Sequence, residues 1–369
     1  MEKIGIIGVG RLGVCLALNL ERVGYSVIAV DTCPDRVNQI NTKNLVVPEA
    51  SVDEYLKLSK NLVAHTDVSA LQKEQVDFIF ICVPTPSLPD GKYDHSYINS
   101  CVDELLKLDQ PENEIDLVIN STTMPGFCDE LQERVKDHNL VVSYNPEFIA
   151  QGQIIRDQQY PDQVLIGEAN QIAGDRIQQV YKKLCFNDPA IHRMSRTSAE
   201  ITKLGVNCFL TTKIAFANAV GDLAIALGGD HEDILSSIGS DSRVGGAYLG
   251  YGYGFGGPCL PRDNRALSKA GEKIGMELLI GEATDQANIN HLQFQFDQIQ
   301  KTNSDKTIIF DQVTYKKGTD ILEESQQLAL AVKLMEDGRT ICIKSPSLVV
   351  EQVKAIYGNK FQYEITDDA

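Results

Sequence analysis

The stretch from Lys3 to Asp31 constrains this chain more than any other. Lys3 to Ile7 is a short apolar, β-branched run, and Gly8-Val9-Gly10-Arg11-Leu12-Gly13 follows at once. Leu12, Leu16, Leu18, Leu20 and Val23 come next at helical spacing, then Gly24 as a stop, then a second strand from Ser26 to Val30 ending on Asp31. Strand, glycine turn, helix, strand and acid in that order predict a dinucleotide site. Gly8, Gly10 and Gly13 let the backbone approach a pyrophosphate resting on a helix N-terminus, and Asp31 can accept from a ribose hydroxyl. A glycine turn without a ligand is the plain alternative. Asp31 repels a 2′-phosphate, which favours NAD over NADP, while the nearby Arg36 keeps NADP open.

The strand–helix alternation continues. Residues 76–83 (VDFIFICV) form a continuous apolar run of the buried parallel-sheet kind, ending at Pro84-Thr85-Pro86. Strands expected at 116–120 and 141–144 end in Ser121-Thr122-Thr123 and Asn145-Pro146-Glu147-Phe148. In an open parallel sheet, ligands sit outside the carboxyl ends of the strands. Thr85, Thr122 and Glu147 are therefore expected to converge on the cofactor crevice, although each alone is a turn or cap residue. The six histidines share no motif and read as ordinary surface or core residues.

After Ser195 the composition changes. Ser198-Ala199-Glu200 reads as a helix start, and residues 201–227 run without Pro to Gly228-Gly229. A helix this long suits a connector and a subunit interface, or a plain core helix. Lys203 and Asn207 share one face of it and could both donate to one developing oxyanion; otherwise Lys203 is simply solvated. The loop GFGGPCLPRD, 254–263, holds Cys259 between Pro258 and Pro261. It is either a placed nucleophile or a tight turn carrying a small apolar Cys. Helices are expected at 266–271 and 282–300. A second α/β segment follows: strand 307–310, helix 324–337, strand 340–343, helix 347–357, strand 361–365.

The predicted class is α/β. A Rossmann-type parallel sheet occupies 1–193, a central long-helix region with the Cys loop 194–302, and a shortened C-terminal α/β domain 303–369. With 369 residues, more than one domain is expected. The net charge of −17, without a Lys/Arg cluster, argues against nucleic acid or an acidic membrane as partner. Nine cysteines scattered without CxxC spacing predict no structural metal and no disulfides. No apolar run reaches about 18 residues and the N-terminus reads as a strand, so a cytoplasmic location and no membrane partner are expected.

Together the motifs resemble the UDP-glucose/GDP-mannose dehydrogenase family from residue 1 to about 325. They are GVGRLG, CVPTP, STTMPG, NPEF, ExxKLxxN at 200–207, DSRVGGAYL, GFGGPCLPRD and YKKGTDILEES at 315–325. The resemblance implies NAD-dependent oxidation of the C6 alcohol of a nucleotide sugar, most simply UDP-glucose to UDP-glucuronate, in two hydride transfers. It makes Cys259 the nucleophile of a thiohemiacetal and thioester route, Lys203 and Asn207 the oxyanion pair, Thr122 and Asp263 holders of the catalytic water, and Glu147 a proton-transfer carboxylate. It assigns Gly8, Gly10, Leu12, Gly13, Asp31, Arg36, Thr85 and Thr122 to the cofactor. To the sugar nucleotide it assigns Glu147, Phe148, Gln151, Lys203, Asn207, Arg243, Tyr248, Gly256, Cys259 and Lys316. It further implies a homodimer centred on the long helix, with Arg243 reaching across it, and a C-terminal domain that covers the nucleotide.

The chain also departs from the pattern. Gln151 stands where relatives have a second Glu, Arg262 where Lys is common, and Glu323 where an Arg is usual. The same chemistry on GDP-mannose or a UDP-N-acetylhexosamine stays open, as do a two-electron hydroxyacid dehydrogenase and a non-catalytic NAD-binding paralogue.

Overall fold

The computed structural model describes residues 2–149, 151–302 and 307–366. The chain divides into two compact units, 1–203 and 204–369. The boundary expected at 302/303 falls outside the described residues.

The first unit is built on one eight-stranded sheet. In chain order its elements are β1 (Lys3–Ile7), α1 (Arg11–Arg22), β2 (Ser26–Val30), α2 (Pro34–Asn41), α3 (Val52–Leu58), β3 (Leu62–His65), α4 (Ser69–Lys73), β4 (Phe78–Ile81) and α5 (Ser96–Leu105). Then come β5 (Ile115–Ile119), α6 (Phe127–Val135), β6 (Leu140–Tyr144), α7 (Ile154–Gln159), β7 (Gln163–Glu168), α8 (Gln171–Leu184) and β8 (Ala190–Ser195). The strand order is β3-β2-β1-β4-β5-β6-β7-β8, so the chain reverses its winding direction after β3. Period-2 alternation decides which residues face which layer. Ile4, Ile6, Phe78 and Phe80 join the core on the α1 side, while Ile7, Ile79, Ile81 and Leu117 join the core carrying residues of α5 and α6. Both faces are covered, as parallel strands require.

The sheet is parallel, as expected, except at one join. β6 meets β7 antiparallel through Tyr144 opposite Gly167, whereas β7 and β8 are parallel to each other. The connection between them, residues 145–162, contains one short helix, α7.

α9 (Arg196–Leu227) begins in the first unit and runs on into the second. It starts two residues before the expected Ser198. By length and composition it is apolar enough to span a bilayer, against the expectation of no such segment. Two polar residues on it engage protein partners: the buried Asn218 donates to the Tyr253 carbonyl and the half-buried Asp222 accepts from His291.

In the second unit follow α10 (His231–Ser240), α11 (Leu260–Ala270) and α12 (Leu279–Thr302). The terminal segment is β9 (Thr307–Phe310), α13 (Gln326–Glu336), β10 (Thr340–Pro346), α14 (Ser347–Tyr357) and β11 (Gln362–Thr366). Its three strands are parallel in the order β11-β10-β9, over a core of Ile308, Phe310, Leu334, Ile341, Ile343 and Val353.

Candidate active site

In the first unit the glycine turn forms as read. Gly8 adopts φ +91°, and a Cβ there would meet the Cys82 carbonyl oxygen at 2.7 Å. Gly13 packs so closely that a Cβ would lie 2.0 Å from the Gly8 oxygen. Gly10 is different: a Cβ there would meet nothing within 4 Å. Internal packing therefore does not demand a glycine at position 10, and the space beside the turn is open. The α1 N-terminus behind it has no side-chain cap and no acidic residue in its first turn, so its amides and dipole face that space. These residues fit a dinucleotide pyrophosphate. Asp31, buried at the end of β2, accepts from the Val9 amide at 3.0 Å, the Cys33 amide at 2.9 Å and Arg36 at 3.3 Å. Arg36 is thus drawn onto the acid. Leu12 packs its side chain against the core.

The strand ends after β4, β5 and β6 carry the other residues expected here. Thr85 is buried and its hydroxyl donates to the Thr122 carbonyl at 2.9 Å, which ties two of the three strand ends together. Glu147 lies after β6. Burial pushes its carboxyl up to about 7, against the pull of Lys203 and of hydrogen bonds from Gln158, Tyr181 and Asn120. Lys203 is buried on α9; its ammonium donates to the Glu147 carbonyl at 2.7 Å and lies 4.6 Å from the centre of the Phe148 ring. Lys203 is therefore fixed in place and not solvated. Gln151 accepts from Arg11 at 3.0 Å.

The sequence reading missed what holds this region. Glu200 is fully buried and accepts from the Thr123 hydroxyl and the amides of Gly126 and Cys128, capping α6 and fastening the Ser121–Gly126 turn. His95, read as ordinary, accepts from the Met124 amide at 3.2 Å and stacks on Phe127. Only the first position of ExxKLxxN signalled Glu200, and no spacing signalled Gln158, Tyr181 or His95.

In the second unit, Cys259 is exposed at the N-cap of α11. The expected helix at 266–271 in fact begins at Leu260, so Pro261, Arg262 and Asp263 form its first turn and not a loop. Proline is tolerated there because the first helical amides have no intrahelical acceptor. The thiol thus sits where a helix N-terminus favours negative charge. Asp263, also buried, accepts from Asn207 at 2.6 Å.

The glycines before the thiol are required by contacts. Gly257 has φ +84°, and a Cβ on Gly256 would lie 2.3 Å from the Glu324 carbonyl oxygen. The Gly257 amide donates to the Glu323 carbonyl at 3.1 Å. Glu323 thus meets this loop through its backbone, while its side chain is exposed. On the other side Asn288 of α12 accepts from the Phe255 amide and donates to the Phe255 carbonyl, and His291 and Gln295 contact the Gly252 carbonyl. These three residues, spaced 288, 291, 295 along one helix face, were also missed.

Arg243 is exposed and paired with Asp241 in its own turn. Tyr248 is exposed with φ +61°, and Lys316 is exposed with its carbonyl accepting from Thr314 and Thr319. Of the nine thiols, burial raises the pKa of Cys15, Cys82, Cys101, Cys128, Cys185, Cys208 and Cys342 and so disfavours their thiolates.

Comparison with known proteins identifies relatives of this chain. Residues 2–185 match the NAD binding domain of the UDP-glucose/GDP-mannose dehydrogenase family, and residues 197–290 match its central domain. The chain is 31% identical over 341 residues to a UDP-glucose 6-dehydrogenase of Rickettsia conorii, covering 90% of this chain and 78% of that one. It is 28% identical to a GDP-mannose 6-dehydrogenase of Pseudomonas aeruginosa, over 91% of this chain and 79% of that one. Its fold superposes with a TM-score of 0.89 on a UDP-glucose dehydrogenase from the archaeon Pyrobaculum islandicum, at 28% identity, covering all of this chain and 86% of that one. The protein belongs to the UDP-glucose/GDP-mannose dehydrogenase family of NAD-dependent nucleotide-sugar dehydrogenases.

Proposed function

We propose that the protein oxidises the C6 alcohol of UDP-glucose to the carboxylate through a covalent adduct on Cys259. The observation that carries this reading is the exposed thiol at the N-cap of α11, on a loop fastened from both sides. Dinucleotide is held by the glycine turn, the α1 N-terminus and Asp31, and when bound it supplies the hydride acceptor for each of the two oxidations. The Cys259 thiolate adds to the C6 aldehyde to give a thiohemiacetal, whose oxidation leaves a thioester. Water attacks the thioester carbonyl, the C–S bond breaks, and carboxylate and thiol are released.

Lys203 and Asn207 donate to the oxyanion that forms on each addition. Glu147, held near neutrality, takes the proton of the attacking water. Thr122 and Asp263 hold that water. Glu147, Phe148, Gln151, Tyr248, Gly256 and Lys316 are assigned to the sugar nucleotide as the resemblance implies. On α9, Phe209, Phe216 and Leu223 are exposed at seven-residue intervals, which supports a homodimer centred on this helix with Arg243 lent to the neighbour's site.

GDP-mannose stands as the second substrate, because relatives of both kinds have similar identity to this chain. The test is a panel of UDP- and GDP-sugars with NAD, scored by NADH released per sugar. Two NADH per UDP-glucose is the expected result. Cys259→Ser should abolish the four-electron product; a Ser variant that still forms the uronate would end the covalent route.

A further inference from the structure

α1 and α7 give Leu16, Leu20, Ile154 and Ile155 to one apolar core, yet three of their buried side chains are amides: Asn19, Gln158 and Gln159. Buried amides cost stability unless each finds partners, and these do. Asn19 Nδ2 donates to the Ile155 carbonyl at 3.2 Å and to Gln158 Oε1 at 2.9 Å. Asn19 Oδ1 accepts from Gln159 at 2.8 Å, and the Gln159 amide also donates to the Tyr55 hydroxyl at 3.2 Å. Gln158 Nε2 donates to Glu147 Oε1 at 3.3 Å.

The donor and acceptor order of this chain is set at its two ends. A backbone carbonyl can only accept, so Ile155 fixes which end of the Asn19 amide turns toward it. The second Nδ2 proton is left for Gln158, whose oxygen then faces Asn19 and whose nitrogen faces Glu147. An ionised carboxylate can also only accept, so the far end suits the charged form of Glu147. Tyr181 cannot replace Gln158: it has one hydroxyl proton, and Asn145 Oδ1 at 2.6 Å competes for it with Glu147 at 3.4 Å. Among the described residues, the titratable groups acting on Glu147 are Lys203 on α9, Tyr181 on α8, Cys15 on α1, Cys82 after β4 and Cys185 after α8. Burial keeps the phenol and the thiols protonated, so the charge facing Glu147 is that of Lys203.

We propose that Asn19 and Gln158 are positioning residues for Glu147: Ile155 orients the Asn19 amide, Asn19 orients Gln158, and Gln158 presents an N–H to the carboxylate. The relay is matched to the ionised, proton-accepting form and would oppose the amide orientation that a neutral carboxyl's O–H prefers. The proposal rests on Glu147 as the proton acceptor of the hydrolytic step.

The test is hydrolysis of the acyl adduct on Cys259, followed in single turnovers from pH 5 to pH 9 on the full chain with NAD and UDP-glucose. Thermal unfolding of each variant is measured alongside. In wild type the rate should rise through about 7. Gln158→Met keeps the side-chain length but removes the donor, and should move that midpoint up by about one pH unit. Asn19→Leu should move it in the same direction by less, and the double variant no further than Gln158→Met alone. Gln159→Met should also lower the melting temperature, since it removes a buried contact at the other end of the chain, while leaving the midpoint in place. An unmoved midpoint in Gln158→Met would overturn the proposal, and this arm decides even if Asn19→Leu does not fold. So would an Asn19→Leu effect that persists in the Gln158→Met background, or Gln159→Met moving the midpoint as far as Gln158→Met. A wild-type rate that is flat across this range would instead remove the role of Glu147 on which the inference stands.

Discussion

Two carboxylates, one half-buried and one buried, sit at opposite ends of the strands of one sheet. Glu147 follows the carboxyl end of β6, while Asp116 is the second residue of β5, at its amino end. Burial raises both, Glu147 to about 7 and Asp116 to about 6. Their surroundings differ. Glu147 is met by donors that arrive from other elements: Gln158 at 3.3 Å, Tyr181 at 3.4 Å and the charge of Lys203. Asp116 is 1% exposed and pairs with Arg176 at 2.8 Å, while Glu114 and Asp77 push against its ionisation. A raised carboxyl is therefore not by itself a functional mark. What separates the two is the kind of neighbour, mostly neutral donors at one end and fixed charges at the other.

The largest expected effect tests the functional side. Glu147→Gln should slow steady-state NADH production by about 10²–10⁴-fold, the usual range for a lost proton acceptor, with the acyl adduct on Cys259 accumulating in mass spectra. In wild type the hydrolytic rate should rise with pH through about 7 and then level, since the ionised form is the acceptor. A rate already flat from pH 5 to pH 9 would refute this role.

A smaller effect tests the structural side. Arg176→Met leaves Asp116 buried without its cation and should destabilise the protein at pH 8 by roughly 1–3 kcal/mol. Because the Asp116 carboxyl then titrates still higher, lowering the pH to 5 should restore most of the loss. Turnover per folded molecule should not change.

Asp116→Asn should have the smallest effect and the opposite sign. The folded-state value of Asp116 lies above its ordinary one, so its stability is fully present at low pH and declines as pH rises through about 6. The amide has no charge to bury. Its melting temperature should match wild type near pH 4 and exceed it at pH 8 by about 2–4 °C, the shift that ~1 kcal/mol gives in a domain of this size. A lower melting temperature at pH 8 would show that the Arg176 pair outweighs the desolvation of Asp116.

The same contrast explains what could be read from the residues. β1, β2, β9 and α14 have the expected bounds, because each is a short apolar run between clear breakers. Thr85 and Thr122 were legible as neighbours since the sheet rule places strand ends side by side. The setting of Glu147 was not legible: Asn120 follows β5, Gln158 and Tyr181 lie on α7 and α8, and only tertiary packing brings them together. The start of α11 was hidden by Pro261, which reads as a loop residue although it fits a first helical turn. The antiparallel join of β6 and β7 rests on one pairing, Tyr144 opposite Gly167, which apolar runs do not report.

The distribution of sulphur has a practical consequence. Seven thiols are held protonated by burial, and Cys259 stands exposed at a helix N-terminus. Electrophiles need an accessible sulphur, so a brief exposure to a mild alkylating dye should label Cys259 ahead of the buried and half-buried thiols. The native enzyme thereby carries its own attachment point for a fluorophore or spin probe, and the sulphur proposed to do the chemistry is the one that would report on it.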